Sequence, residues 1–388
     1  MVPNLRFNND PYKKYNLYEF ATRVTRKNKD NVSNLPLTIS AQYGLVDQVS
    51  FFNKTVASKD MSGYYLLKNG EFAYNKSYSN DYPWGAIKRL DLYDMGCLST
   101  LYICFKTNDN IVNSNYLVHY FESSKWHKQV ADIAGEGARN HGLLNIGVND
   151  FFNTKHAVPT IENQIKIAGF LDLIEKRIQT QIKIIDDLVL QKKYIISSLL
   201  KSIQDNEKIM LKDILFDYNI KTTINNEYPV LSSTASGMYL QSDYFNKETS
   251  SDNTIGYKIV PRGYCTYRSM SDTGLFTFNI QNLVEKGIVS PAYPVFSSND
   301  DYINEFIILY LNNSSYIKKQ ILELKSGGTR FALPFSTLCT LKIPKLEKEK
   351  QLSLIKTITA FERKIENEEI ILNALHQQKI FLLNNMFI

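Results

Sequence analysis

The sequence is poor in side chains that bind metals or cross-link a fold. It has four cysteines (Cys97, Cys104, Cys265, Cys339), none in a CxxC pair, and five scattered histidines (His119, His127, His141, His156, His376). A zinc or iron site needs converging ligands, so no metal is expected, and the cysteines read as reduced, mostly buried thiols. No apolar run approaches the roughly 20 residues needed to span a bilayer. The opening MVPNLRFNNDPYKKY has no apolar core of a secretory leader. These absences point to a cytoplasmic protein without a membrane partner.

Signatures of catalysis are equally scarce. There is no P-loop lysine, no trusted nuclease cluster and no Ser/His/Asp constellation. NDPY (Asn9 to Tyr12) resembles the loop with which amino-methyltransferases hold a target amine, but it lacks the second proline and a preceding strand. GEGARN contains GxG without a third glycine or a βαβ setting. The chain is therefore expected not to be an enzyme.

What is present is size, aromatic content and repetition. A chain of 388 residues suits two domains plus connecting elements. The composition, 44% hydrophobic and 22% charged, is that of a globular protein. A net charge of +6 permits a polyanionic partner without demanding one. Tyrosine and phenylalanine are abundant, so the strands are expected to be rich in rings.

The chain is one unit written twice. IEKRI at 174–178 returns as FERKI at 361–365; at the same offset Gln164 meets Gln351, Leu188 meets Leu375 and Lys192 meets Lys379. Upstream, FNK at 52–54 recurs at 245–247, and GYYLLKNGEFAYN (63–75) aligns with GYKIVPRGYCTYR (256–268). Pro36 and Gly44 align with Pro229 and Gly237, GCLSTLYICF (96–105) with GIVSPAYPVF (287–296), and the GEGAR ending at Arg139 with the KSGGTR ending at Arg330. Each unit reads as an α+β domain of short strands with a helix near 114–134 or 301–324, followed by a long helix behind Pro159 or Pro344. The expected boundaries are domains at 1–158 and 204–343, with helices at 159–203 and 344–388.

The long helices carry an apolar seam at heptad spacing. The first offers Leu171, Ile174, Ile178, Ile185, Leu188, Ile195 and Leu199, interrupted by Gln181 and Lys192. The second offers Ile358, Phe361, Ile365, Leu372, Leu375, Leu382 and Met386, interrupted by Glu368 and Lys379. Such a seam asks for a partner helix. An antiparallel coiled coil with pseudo-twofold symmetry is expected, in a register that sets Lys192 against Glu368 and Gln181 against Lys379. It would hold two similar heads a fixed distance apart, which suits duplex DNA.

Candidate DNA contacts are basic or aromatic residues in turns. TRVTRKNK offers Arg23, Arg26, Lys27 and Lys29; AYNKSYSN offers Tyr74, Lys76 and Tyr78; the matching TYRSM offers Tyr267 and Arg268. Arg139 and Arg330 follow glycines at equivalent places, where backbone can approach a phosphate closely.

With VPNLRF, GEFAYNKSY, the Gly-Arg turns, the IEKRI helix entry and the final LLNNMFI, the whole chain resembles the specificity subunit of type I restriction-modification systems. That resemblance implies two target-recognition domains, each reading one half of a split, asymmetric site in double-stranded DNA. It implies a helical spacer that docks two methyltransferase subunits, with restriction subunits joining the complex. S-adenosylmethionine, ATP and magnesium would belong to the partners, and this chain would hold no cofactor. The sequence leaves open a specificity subunit of a related class whose partner fuses methyltransferase and nuclease, and a coiled-coil adaptor that binds protein.

Overall fold

The computed structural model describes residues 12–40, 43–54, 56–78, 82–134, 142–244, 253–324 and 331–388. The chain forms two compact units, residues 1–182 with 370–388, and residues 183–369. Each unit contains a β-rich domain and half of each long helix.

In the first unit the order is β1 (Lys13–Asn16), α1 (Leu17–Phe20), β2 (Ala21–Arg23), β3 (Leu37–Ser40), β4 (Gly44–Asp47), α2 (Gln48–Phe52), β5 (Tyr65–Lys68), β6 (Phe72–Asn75), β7 (Ala86–Arg89), β8 (Met95–Leu98), β9 (Ile103–Thr107), α3 (Ser114–Glu122), α4 (His127–Ile133), α5 (Val148–Phe152) and β10 (Lys155–Val158), before the chain enters α6 (Ile161–Ser202). A four-stranded antiparallel sheet has the order β2-β9-β6-β7, and β1-β10, β3-β4 and β5-β8 form antiparallel pairs.

Side-chain alternation along β6 and β9 builds two cores. Phe72, Tyr74, Ile103 and Phe105 face one way, onto Tyr116, Leu117, Tyr120 and Phe121 of α3 and Ile167 and Leu171 of α6. Ala73 and Cys104 face the other, onto Leu37, Leu45, Tyr65, Leu67 and Leu98. Rings dominate the first core: Phe72 stacks on Phe105 at 5.3 Å between centroids, and Tyr74 stacks on Phe151 at 4.9 Å.

The second unit repeats the plan as β11 (Lys208–Met210), β12 (Leu215–Asp217), β13 (Leu231–Thr234), β14 (Gly237–Leu240), α7 (Gln241–Tyr244), β15 (Lys258–Pro261), β16 (Cys265–Tyr267), β17 (Met270–Ser271), β18 (Phe278–Ile280), β19 (Lys286–Val289), β20 (Val295–Ser298), α8 (Asn304–Asn313), α9 (Ser315–Glu323), β21 (Phe331–Ala332), α10 (Phe335–Leu338), β22 (Lys342–Pro344) and α11 (Lys348–Met386). Its main sheet, β12-β20-β16-β18, matches β2-β9-β6-β7 strand for strand. Cys265, Tyr267 and Phe296 face α8 and the long helices, while Val260, Val289 and Val295 face Leu231. The isolated bridges Pro36–Cys97 and Val230–Ile288 match Pro36 with Val230 instead of Pro229. One residue fewer in the β13-β14 turn then restores the match of Gly44 with Gly237.

One close approach occurs in both units. A Cβ on Gly96 would lie 2.5 Å from Leu37 Cδ1, and one on Gly287 would lie 2.3 Å from Leu231 Cδ1. Neither site has room for a methyl group without displacing a core leucine. Gly96→Ala is expected to destabilise the first unit by about 1–3 kcal/mol. In a double-mutant cycle with Leu37→Ala the coupling should exceed about 0.5 kcal/mol; additive effects in denaturation midpoints would exclude the clash as cause.

Each long helix is anchored to its domain by a glutamine in its first turns. Gln164 Oε1 accepts from the Asn113 amide at 2.7 Å, and its Nε2 donates to the carbonyls of Pro159 at 2.9 Å and Ile111 at 3.3 Å. Gln351 repeats this arrangement with the Ile303 amide at 3.0 Å and the carbonyls of Leu346 at 2.8 Å and Asp301 at 3.0 Å. Both side chains are buried.

The two long helices pack antiparallel. In the first unit Ile174 and Ile178 share a core with Leu375, Leu382 and Met386. In the second, Ile196 and Leu200 share one with Leu354 and Ile358. Leu188 is also buried, whereas Ile185, Ile195, Leu199, Phe361, Ile365 and Leu372 are half-buried. The polar pairing differs from the expected register. Lys192 Nζ bonds Glu362 at 2.7 Å instead of Glu368, and Lys379 Nζ bonds Glu175 at 2.7 Å instead of Gln181. The lysine stems lie along the seam while the ammonium groups reach its edge, where the glutamates remain partly solvated. Facing charges inside the seam would both have to be desolvated. Pairs of this exposure contribute about 0.2–1 kcal/mol each.

Candidate nucleic-acid interface

In the first unit the TRVTRKNK turn runs from β2 across Tyr65. Arg23 Nη2 donates to the Tyr65 hydroxyl at 3.3 Å, and Lys27 Nζ lies 4.4 Å from the Tyr65 ring centroid while donating to the Gly63 carbonyl at 2.8 Å. Arg26 is exposed but paired with the buried Glu71. Its Nη1 and Nη2 donate to Glu71 at 3.1 and 2.9 Å, and Nη1 also donates to the Leu66 carbonyl at 3.0 Å. Glu71 is buried and accepts from the Lys68 amide as well. Arg26 therefore satisfies a buried carboxylate, and its guanidinium is taken up by contacts within the domain. Arg23, Arg26, Lys27 and Lys29 are all exposed on this turn, Arg26 with its guanidinium bonded to Glu71.

Tyr74 and Tyr267 are core residues, not surface contacts. Both are fully buried; Tyr74 donates its hydroxyl proton to the Trp84 carbonyl at 2.8 Å, and Tyr267 to the Leu333 carbonyl at 2.9 Å. Burial pushes both phenols well above their ordinary pKa. They recur because the same sheet needs the same ring twice.

Beyond these tyrosines the chain leaves the sheet and forms an exposed edge. In the first unit the Leu144 amide donates to the Lys76 carbonyl at 2.9 Å and the Tyr78 amide to the Gly142 carbonyl at 2.8 Å. In the second, Leu333 donates to Ser269 at 2.8 Å and β17 pairs with β21. Tyr78 and Arg268 are exposed, and Lys76 is half-buried with its Nζ 3.4 Å from the Ile146 carbonyl. Gly142 and Phe331 are the first described residues after the two Gly-Arg segments. Arg139 and Arg330 themselves lie outside the described residues.

The two units differ in charge at equivalent places. Arg23 pairs with Phe105 in β9, and Asp217 pairs with Phe296 in β20, so an aspartate occupies the place of Arg23. Lys76 and Tyr78 correspond to Ser269 and Ser271. Sequence inspection found the basic turn of the first unit but missed this substitution, which becomes visible only when the strand registers are aligned.

No protein-family model matches the chain, and none of the curated proteins does. Solved structures match over almost its full length. A chain from a study of complex assembly and conformational transition of a type I restriction-modification system has a TM-score of 0.59 at 15% identity, covering 96% of both chains. The HsdS subunit from Thermoanaerobacter tengcongensis has 0.52 at 14%, and the type I S subunit from M. genitalium has 0.50 at 14%; each comparison covers 100% of this chain and 99% of the other. Two β-rich domains, each followed by a long helix, with those helices packed antiparallel, give this chain the fold of type I restriction-modification specificity subunits along its length.

Proposed function

We propose that the chain is the DNA-recognition subunit of a type I restriction-modification complex. Residues 1–158 and 204–343 act as target-recognition domains, each reading one half of a bipartite, asymmetric site. Helices 159–203 and 344–388 set the spacing between half-sites and dock two methyltransferase subunits, to which restriction subunits add. The chain is non-catalytic; S-adenosylmethionine, ATP and magnesium act on its partners. The full-length fold likeness carries this reading. The duplicated domain with unlike surfaces supports an asymmetric target, since two different half-sites require two different reading faces.

Arg23, Lys27, Lys29, Lys76 and Tyr78 are the contacts proposed for one half-site, and Arg268 for the other, with Arg139 and Arg330 kept as sequence-based candidates. Adenine methylation mapped in a host with and without this gene should differ at one bipartite motif; identical maps would refute the function. In the assembled methyltransferase, Arg268→Ala should weaken binding by about 1–3 kcal/mol and relax specificity in one half-site only. Equal relaxation in both halves would refute separate reading heads.

A further inference from the structure

The FNK of the first unit, residues 52–54, has no role in the described cores or in the proposed DNA contacts. In the first unit it ends α2, which sits on the β3-β4 hairpin through the Gln48 amide bonded to the Pro36 carbonyl at 2.8 Å. Phe51 and Phe52 are each 45% exposed and meet edge to face, with centroids 5.1 Å apart. Neither ring belongs to a buried cluster. Tyr43 and Val49 extend the apolar surface, Asn53 turns the chain with φ of 50°, and Lys54 is exposed beside the rings. Folding gains little from two half-exposed phenylalanines.

The motif nevertheless recurs. Tyr244-Phe245-Asn246-Lys247 repeats Phe51-Phe52-Asn53-Lys54 in sequence, and α7 sits on β13-β14 through the same bond, Gln241 amide to Val230 carbonyl at 2.9 Å. Residues 245–252 lie outside the described residues, so the structural site is that of the first unit. The flanks are not repeated: Ser236 and Ser242 correspond to Tyr43 and Val49. The common element is thus an aromatic pair followed by Asn-Lys.

We propose that Phe51 and Phe52 dock one of two like copies of a protein partner, which offers an apolar pocket for the rings with a carboxylate at its rim for Lys54. Surfaces that read unlike half-sites must differ, as Arg23 and Asp217 do. A surface that meets the same partner twice must stay alike. The chemistry favours protein over DNA. Residues 43–54 carry Asp47 and Lys54 and hence no net charge. The Asp47 carboxylate is held below its usual range chiefly by the Ser50 hydroxyl at 2.6 Å, so it would oppose a phosphate. DNA interfaces are strongly positive, whereas exposed aromatic anchors with a charged rim characterise protein docking sites.

The inference rests on the proposed function, under which the partner is the methyltransferase subunit. The test uses the full chain with that purified subunit, followed by native mass spectrometry and titration calorimetry. The unaltered chain should take up two copies. Phe51→Ala/Phe52→Ala should weaken one site by about 100-fold, leaving one copy bound. Lys54→Glu, a purely surface change, should weaken the same site about tenfold. Thermal melts and DNA affinity of the free chain should be unchanged. Two copies bound to the double variant with unaltered affinity would overturn the proposal. So would lost DNA affinity with methyltransferase uptake intact, which would make the rings a duplex contact. Failure of the unaltered chain to take up any methyltransferase would instead refute the proposed function, and the dock with it.

Discussion

Gln351→Ala should lower the stability of the second unit by about 3–5 kcal/mol, far more than a loss of three ordinary hydrogen bonds from the surface. The substitution strips partners from one amide and two carbonyls at the junction of domain and helix. Each buried group left without a partner costs about 1–3 kcal/mol. Gln351→Glu should recover little, because a carboxylate retains the acceptor but cannot donate to the Leu346 and Asp301 carbonyls. Gln164→Ala should act in the same way on the first unit. The two tryptophans, Trp84 and Trp126, both lie in the first unit. Tryptophan fluorescence in urea should therefore shift strongly for Gln164→Ala and less for Gln351→Ala, while circular dichroism follows both. Wild-type midpoints for both alanine variants would show that these glutamines do not anchor the helices.

Acid should selectively weaken the first unit. All five histidines lie in it. His156 is buried, bonded to the Tyr120 hydroxyl at 3.0 Å and the Thr154 hydroxyl at 2.8 Å. Burial depresses its pKa from 6.5 to about 4. The unfolded chain therefore takes up this proton first as pH falls. The full stability is present above pH 6.5, declines as pH falls towards 4, and then levels, with a total loss of about 3 kcal/mol from this residue. The strand registers Tyr15–His156 and Ile209–Ile343 place Ile343 at the matching position in the second unit. His156→Ile should flatten the pH dependence of the tryptophan-monitored midpoint between pH 6.5 and 4. An unchanged slope would mean that other groups govern acid sensitivity. Burial also lowers His119 and His127, so part of the slope should survive the substitution.

The duplication was readable in the sequence because glycines, rings and seam residues return in one order. The seam was readable too, since heptad spacing is a property of the helix itself. The pairing across the seam was not. A lysine at a seam position has a long enough stem to reach a flanking glutamate, so reading the heptad alone favoured Glu368 over Glu362. Recurrence also had two causes that sequence could not separate. Tyr74 and Tyr267 recur because the sheet buries them, whereas Phe51-Phe52 and Tyr244-Phe245 recur without that explanation in the described unit. Arg26 looked available because its partner, Glu71, is brought near only by folding. Gln164 and Gln351 could be matched by position, yet their bonds depend on loops that the fold delivers to the helix start.

The edge ion pairs also give each helix a polarity. Both repeats carry a glutamate early and a lysine late, Glu175 with Lys192 and Glu362 with Lys379. Running in opposite directions, the repeats satisfy both charges. Side by side in the same direction, they would confront lysine with lysine and glutamate with glutamate. Electrostatic sign thus labels head and tail, and a mispaired helix arriving in the wrong sense during synthesis meets repulsion at two places.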